Sequence, residues 1–151
     1  MTARVLFVCT GNSARSQMAE AFVRHYAEDA FEAHSAGLEP KGIHPLTVRA
    51  MQEIGLDLSG QSSKSVLDYL GKVHFGYIVT LCADAEERCP IFPGLGQRMH
   101  WAFDDPAAFE GTHEARLDKF RQVRNQIDGQ IRAWLEGQGV PIGPKPGAAQ
   151  A

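Results

Sequence analysis

Residues 4–22 read Arg4-Val-Leu-Phe-Val-Cys9-Thr-Gly-Asn-Ser-Ala-Arg15-Ser16-Gln-Met-Ala-Glu-Ala-Phe22, and these residues carry the strongest structural signal in the chain. Its first part is a short apolar run, which is typical of a buried strand. Its last part, from Ser16, has apolar residues at helical spacing and predicts a helix. Small and polar residues between the two separate a cysteine from an arginine. Because a strand, a tight loop and a helix N-terminus together present several backbone N–H groups, this stretch predicts a site for a tetrahedral oxyanion.

The loop also carries the side chains that a reaction on such an anion needs. Cys9 is the candidate nucleophile, and it reacts as the thiolate. A helix macrodipole contributes only about 0.3–1 kcal/mol, so backbone N–H groups and the charge of Arg15 must also stabilise that thiolate. The planar guanidinium of Arg15 can bind two substrate oxygens. The predicted oxyanion-binding loop comprises Thr10, Gly11, Asn12, Ser13, Ala14, Arg15 and Ser16.

Length and composition indicate one globular domain. The chain has 151 residues, of which 44% are hydrophobic and 22% charged. We expect a single domain over residues 1–135, followed by a disordered tail over 136–151 that is rich in Gly, Pro and Ala. The net charge of −3 offers no basic surface for nucleic acid or an acidic membrane. We also expect a monomer.

The apolar runs and the cysteines indicate the compartment. No run approaches the ~18 residues that span a bilayer, and the N-terminal run is too short for a signal peptide. The three cysteines are too few for a structural disulfide framework, and the six histidines are scattered without a ligand pair. We therefore expect a cytoplasmic protein with no metal and no tightly bound cofactor.

Strand-like and helical segments alternate along the chain. The predicted strands are Arg4–Cys9, Phe31–Ala36, His74–Leu81 and Arg98–Phe103. The predicted helices are Ser16–Glu28, Pro45–Ile54, Ser65–Leu70 and a last helix that contains Leu117 through Trp134. This alternation predicts a parallel sheet flanked by helices, with ligands at the carboxyl ends of the strands.

The segment VLFVCTGNSARSQMAEAF resembles the phosphate-binding loop of the low-molecular-weight protein tyrosine phosphatase superfamily. The resemblance implies a three-layer α/β/α, flavodoxin-like fold with a four-stranded parallel sheet. It also implies an aspartate before a proline as the general acid, which matches Asp105 in Asp104-Asp105-Pro106. Asp104 is a substitute for that role, and the alternative is a plain Asp-Pro turn.

Two further cysteines, Cys82 and Cys89, are more than such a phosphatase needs. Cys82 follows a predicted strand that ends at the same edge of the sheet as Cys9. If residues 82–89 are helical, the Cα atoms of the two cysteines lie about 10.5 Å apart. A disulfide needs less than about 7 Å, so a bridge requires this segment to unwind or loop out. The sequence does not decide whether residues 82–89 form a helix or a loop.

The Cys-x6-Cys pair resembles the thioredoxin-coupled arsenate reductases of the same superfamily. Gln17, Ala14 and Ala107 also replace the proline, the second loop cysteine and the aromatic residue typical of the phosphatases. The resemblance implies that Cys9 attacks arsenate and Asp105 protonates the leaving oxygen. Cys82 then attacks Cys9, Cys89 attacks Cys82, and thioredoxin reduces the final disulfide. Phosphate and sulfate are the expected substrate analogues.

Related reductases bind potassium beside the loop. Asn12, Glu20 and Ser35 match three of the four ligands, but Lys64 stands at the fourth position. Because a lysine repels a cation, the hypothesis is that its ammonium takes the cation's place near Glu20 or Asn12. The alternative is a solvated lysine.

The sequence leaves two other functions open. One is a tyrosine phosphatase whose extra cysteines are protective or idle. The other is a non-catalytic module that binds an oxyanion or senses oxidation. The reductant is also open, since glutaredoxin or a small thiol could replace thioredoxin.

Overall fold

The computed structural model describes residues 2–94 and 96–146, and these residues form a parallel α/β fold. The strands are β1 (Ala3–Cys9), β2 (Phe31–Gly37), β3 (Tyr77–Thr80) and β4 (Gln97–His100). The helices are α1 (Arg15–Ala27), α2 (Pro45–Gln52), α3 (Ala83–Arg88) and α4 (His113–Gly137). The four predicted strands and three of the four predicted helices are found, with bounds that differ by a few residues. The predicted helix over 65–70 is a short 3-10 turn, Val66–Asp68, closed by a capping box between Ser65 and Asp68.

The four strands are all parallel in the order β2-β1-β3-β4. β1 is a central strand, and the side chains of Val5 through Val8 are fully buried because neighbours cover both its edges and both its faces. From β1 the chain runs to one side through α1 and β2, and β3 lies on the other side. The point at which the strand order reverses therefore lies between β1 and β3, where ligands bind in sheets of this kind.

Helices cover both faces of the sheet, as the alternation of side chains along β3 shows. The ring of Tyr77 packs against Trp134 of α4, with 5.5 Å between the ring centroids. Thr80 points to the opposite face, where its hydroxyl donates to the Glu86 carboxylate of α3. α1 packs beside α4 on the Tyr77 face, and α3 lies on the Thr80 face, so the sheet has helices on both sides. This arrangement confirms the predicted α/β/α architecture.

The segment after α4 packs back on the domain. α4 ends at Gly137, and Val140 and Ile142 lie against the core. The N–H of Gly143 donates to the carbonyl of Tyr26. The structure thus places 138–146, part of the predicted tail, against the end of α1, because two apolar side chains find partners there. The rest of that tail, 147–151, lies outside the described residues.

No helix of the described ranges is long and apolar enough to cross a lipid bilayer.

Candidate active site

The loop between β1 and α1 is held in an uncommon backbone conformation. Asn12 has a φ of 47°, in the left-handed region. Gly37, at the end of β2, allows the loop to lie against the neighbouring strand. A Cβ atom on Gly37 would lie 2.8 Å from both the Asn12 nitrogen and the Thr10 carbonyl oxygen. A glycine is therefore required at this position for the loop to pack as it does.

A buried chain of hydrogen bonds leads to the sulfur of Cys9. Asn12 Nδ2 donates to Ser16 Oγ at 2.7 Å, and Ser16 Oγ lies 2.9 Å from Cys9 Sγ. The orientation of the Asn12 amide is determined by the backbone N–H of Lys64, which donates to Asn12 Oδ1 at 2.8 Å. Because Ser16 accepts from Asn12, its own hydrogen is free to point at the sulfur, where it stabilises a thiolate.

The N-terminus of α1 is open toward this loop. Within the described part of the chain, no side chain caps α1, whose N-cap residue is Ala14, and its first turn has no acidic residue. The first N–H groups of the helix are therefore available to an anion. They face a cavity of about 140 Å³, lined by Cys9, Thr10, Gly11, Ser13, Ala14, Arg15, Lys41, Asp105 and Ala107.

The two candidate general acids, Asp105 and Asp104, point in different directions. Asp105 lines the cavity, its Oδ2 lies 3.7 Å from Arg15 Nη2, and its Oδ1 accepts from the N–H of Ala107. Asp104 points outward to Lys119, at 2.9 Å, and 76% of its side chain is exposed. The hydrogen bond from Lys119 lowers the pKa of Asp104. The geometry therefore favours Asp105 as the group that meets a bound anion.

Cys82 lies next to the loop. Its sulfur is 3.4 Å from the hydroxyl of Thr10, the residue after Cys9. Cys82 is also the N-cap of α3, and its sulfur accepts from the Ala85 N–H at 3.4 Å. A thiolate at Cys82 would thus meet a hydroxyl and the N-terminal N–H groups of a helix. The carboxyl ends of β1 and β3 bring these two cysteines together.

Cys89 lies at the other end of α3, so the segment that the sequence left open is helical. Its backbone N–H donates to the Ala85 carbonyl at 2.9 Å. The Cys89 side chain is buried, and burial raises the pKa of its thiol. All three cysteines are free in the structure. Cys82 thus lies next to the loop between β1 and α1, whereas Cys89 lies at the far end of α3.

A buried carboxylate lies behind the loop. Glu20 accepts from Ser35 Oγ at 2.6 Å and pairs with Arg24 at 2.7 Å. Lys64 Nζ lies 3.9 Å from Glu20 Oε1 and donates to the Ser62 carbonyl. Burial, the largest influence, lowers the pKa of Lys64, although Glu20 opposes it. No group of three or more His, Cys, Asp or Glu side chains in ranges 2–94 and 96–146 is arranged to hold a metal ion.

Sequence reasoning missed Lys41 and gave Gln17 no structural role in this site. Lys41 lies beside the cavity because its backbone N–H donates to the Gly11 carbonyl, which brings the loop after β2 over the first loop. Gln17 is fully buried and donates to the carbonyls of Asn12 and Ser62, so it braces the loop from behind. A basic residue shortly after the second strand was the only signal for Lys41. The unusual glutamine after Arg15-Ser16 was the signal for Gln17.

Comparisons with known proteins agree with this geometry. The family described as low molecular weight phosphotyrosine protein phosphatase matches residues 4–140. An arsenate reductase of Shouchella clausii is 47% identical over 133 residues, which cover 87% of this chain and 94% of the relative.

Solved structures give the same result. An arsenate reductase in the phosphate binding state has a TM-score of 0.75 and 29% identity, with 91% of this chain and 98% of that one covered. A thioredoxin-dependent arsenate reductase of Corynebacterium glutamicum has a TM-score of 0.67 and 30% identity, with 90% of this chain and 61% of that one covered.

Proposed function

We propose that this chain, which belongs to the low molecular weight phosphotyrosine protein phosphatase family, reduces arsenate to arsenite through Cys9, Cys82 and Cys89. The observation that carries the proposal is the contact between Thr10, in the anion-binding loop, and the sulfur of Cys82. A phosphatase resolves its cysteine adduct with water, whereas in this chain a second thiol lies against the loop that carries Cys9.

In the first step, arsenate binds to the loop N–H groups and Arg15. The Cys9 thiolate attacks arsenic and forms a sulfur–arsenic bond, while a hydroxyl leaves as water with a proton from Asp105. Ser16 supports the step because its hydroxyl stabilises the Cys9 thiolate before the attack.

In the second step, the Cys82 thiolate attacks the Cys9 sulfur. A sulfur–sulfur bond forms, the sulfur–arsenic bond breaks, and its electron pair passes to arsenic, which leaves as arsenite. Two thiols are thereby oxidised and As(V) becomes As(III). Cys89 then attacks Cys82 as a thiolate, so that a Cys82–Cys89 disulfide forms and the Cys9 thiolate is released.

The reductant that we propose is thioredoxin, which returns the Cys82–Cys89 disulfide to two thiols by dithiol exchange. The likeness to a thioredoxin-dependent reductase supports this choice. A thiol-based cycle also fits a cytoplasmic location, where structural disulfides are rare.

A coupled assay with arsenate, thioredoxin, thioredoxin reductase and NADPH tests the proposal. We expect the wild type to release arsenite over many turnovers. Cys9→Ser and Cys82→Ser should release none. Cys89→Ser should complete at most one turnover, because Cys9 and Cys82 stay joined. We call the transfer of oxidation from Cys9 through Cys82 to Cys89 the relay. Continuous cycling of Cys89→Ser with thioredoxin would show that the relay is wrong.

Aryl phosphate hydrolysis supplies the matched control for these variants. It needs the loop and Cys9, but not the second thiol. Cys82→Ser should therefore keep whatever hydrolysis the wild type has, and Cys9→Ser should lose it. A Cys82→Ser variant that loses both activities would indicate a damaged loop and not a broken relay.

For Lys64, we propose that its ammonium stands where related reductases hold potassium. The 3.9 Å approach to Glu20 and the partial burial of Lys64 support this role over a solvated side chain. Turnover should then be equal in potassium and sodium buffers of the same ionic strength. Strong activation by potassium alone would reject the idea.

A further inference from the structure

The relay requires α3 to open. Cys82 and Cys89 cap the two ends of this helix, and helical geometry separates their Cα atoms by about 10.5 Å. A disulfide needs less than about 7 Å. In the resting structure Cys89 is only 7% exposed, so its thiol is largely shielded from solvent as well as distant from Cys82. Some contact must hold α3 closed until Cys9 and Cys82 are joined.

α3 is not stable as a helix by itself; its helical state, in which Cys89 is buried, is called the closed state below. The helix has six residues, and helices of this length are unstable in water without tertiary contacts. Its C-terminal carbonyl groups also have no partners inside the helix. The contacts that stabilise the closed state must therefore come from outside the helix, and at the Cys89 end they come from β4.

Arg98 of the edge strand β4 supplies these contacts. Its Nη2 donates to the Glu86 carbonyl at 2.7 Å, and its Nη1 donates to the Cys89 carbonyl at 3.5 Å. Its Nε lies 3.7 Å from the Glu86 carboxylate, which Thr80 also binds at 2.6 Å. One guanidinium thus bridges two carbonyls and one carboxylate at the end of α3. A cation is also favoured at a helix C-terminus.

Arg88, one residue before Cys89, makes a different set of contacts. It pairs with the side chains of Asp84, at 2.9 Å, and Glu39, at 3.8 Å. Its side chain is half exposed, whereas that of Arg98 is mostly covered. Arg88 therefore offers a control with the same charge next to the same cysteine.

We propose that Arg98 is a latch, a positioning residue that keeps α3 closed and Cys89 buried in the reduced protein. Release of the Glu86 and Cys89 carbonyls by Arg98 is then a condition for Cys89 to reach Cys82. The role in the relay rests on the proposed function. The closed state itself is a property of the resting protein and can be measured without arsenate.

Alkylation of Cys89 tests the latch. In a Cys9→Ser/Cys82→Ser chain Cys89 is the only thiol, and serine at position 82 can still cap α3. In this background, Arg98→Met should raise the rate of iodoacetamide labelling about tenfold, the factor that corresponds to about 1.4 kcal/mol. Arg88→Met should change it less than about twofold. Arg98→Lys should label more slowly than Arg98→Met, because it keeps a donor and the charge.

Hydrogen exchange localises the effect. The Cys89 amide, bonded to Ala85, should exchange faster in Arg98→Met, while the amides of β1 keep their protection. Labelling no faster than in Arg88→Met would overturn the latch, and so would an equal loss of protection in β1. Neither readout uses arsenate, so a failed reductase assay on the three-cysteine chain rejects the proposed function separately.

Discussion

Ser16 has one hydroxyl hydrogen, and its neighbours determine where that hydrogen points. Asn12 donates to the hydroxyl oxygen, and the amide of Asn12 is itself oriented by the backbone of Lys64. The remaining direction leads to Cys9 Sγ. At the residue scale, the candidate nucleophile Cys9 is thus reached by a chain of paired polar groups, of which Asn12 and Ser16 are buried.

Asp105→Asn is expected to lower kcat for arsenate by about 10²–10³-fold, because an amide cannot protonate the leaving oxygen. Asp104→Asn is the matched control, since Asp104 points to Lys119 outside the cavity. It should stay within about twofold of wild type, as a surface ion pair contributes little. Steady-state kinetics on both variants checks the assignment, and a larger loss in Asp104→Asn would reverse it.

Lys41→Met is expected to raise KM for arsenate about fivefold with little change in kcat. Lys41 lines the cavity and is exposed, so its charge attracts the anion through solvent with about 1 kcal/mol. Lys41→Arg should keep the wild-type KM. The effect should shrink as salt is raised, because salt screens exposed charges. A change confined to kcat would contradict this role.

At the scale of elements, the helices differ in how their N-termini are capped. α4 is capped by Thr112, whose hydroxyl accepts from the Ala115 N–H, as is usual for a structural helix. α2 is capped by His44, whose Nδ1 accepts from the Leu46 N–H at 3.0 Å. α1 begins at Ala14 with no capping side chain in the described residues. The uncapped start is the one that faces the anion cavity.

The cap of α2 should make stability depend on pH. Burial and then the Arg116 charge lower the pKa of His44, although Asp105 opposes them. The folded state therefore favours neutral His44, which can accept from Leu46. The contribution of His44 to the free energy of unfolding is complete above its unfolded pKa of about 6.5, and this stabilisation is lost as pH drops below that value.

His44→Asn provides the measurement. Asparagine also caps a helix but does not titrate in this range. The variant should melt at a lower temperature than wild type at pH 8, because it loses the contact of the His44 ring with Phe120. The difference in Tm should narrow between pH 7 and pH 5. A difference that widens toward acid pH would show that the folded state favours protonated His44 instead.

At the scale of the molecule, strand order decides which loops meet. β1 and β3 are neighbours at the centre, and the chain leaves them toward opposite edges of the sheet. The loops after these two strands are therefore left uncovered and side by side. Thr10 and Cys82, 72 residues apart in the chain, come into contact for this reason.

Gly37→Ala tests the packing of the loop on the neighbouring strand. The added Cβ would press on backbone atoms of Thr10 and Asn12, which cannot move without deforming the loop. We expect a loss of about 1–3 kcal/mol of stability and weaker phosphate binding. Thermal unfolding and calorimetric titration with phosphate measure the two effects.

Gly60→Ala is the control for this prediction, since a Cβ there would meet nothing within 4 Å. It should leave the melting temperature and the phosphate affinity close to those of the wild type. If both variants bind phosphate equally well, the contact between Gly37 and the loop is not what shapes the site.

Much of the fold was readable from the sequence because it is encoded locally. The apolar run before Cys9 and the helical spacing after Ser16 predict β1 and α1 without reference to the rest of the chain. The bounds of β3 and β4 were less predictable. The predicted strands 74–81 and 98–103 pair only from Tyr77 to Thr80 and from Gln97 to His100, because ladder bonds depend on the neighbouring strand.

Some residues of the candidate site could also be predicted from local sequence, and others could not. Cys9, Arg15, Cys82, Cys89 and Asp105 could be proposed from short motifs, because the chemistry of each depends on residue type. The roles of Lys41, Gln17 and Arg98 could not be predicted, because they depend on which backbone carbonyl or cavity each side chain reaches. Those partners lie on other elements, and no local pattern encodes the distance.

Local patterns in the amino-acid sequence were enough to predict a parallel α/β domain with a cysteine loop for an oxyanion, since strand, loop and helix signals all act over a few neighbouring residues. Tertiary contacts place Cys82 at that loop and turn Asp105, not Asp104, toward the cavity. They also bring Arg98 to the backbone carbonyls at the end of the helix over Ala83–Arg88. The physical reason is that these are contacts between segments distant in the chain. Burial, strand order and hydrogen bonds to backbone carbonyls select them, and these exist only once the chain has folded.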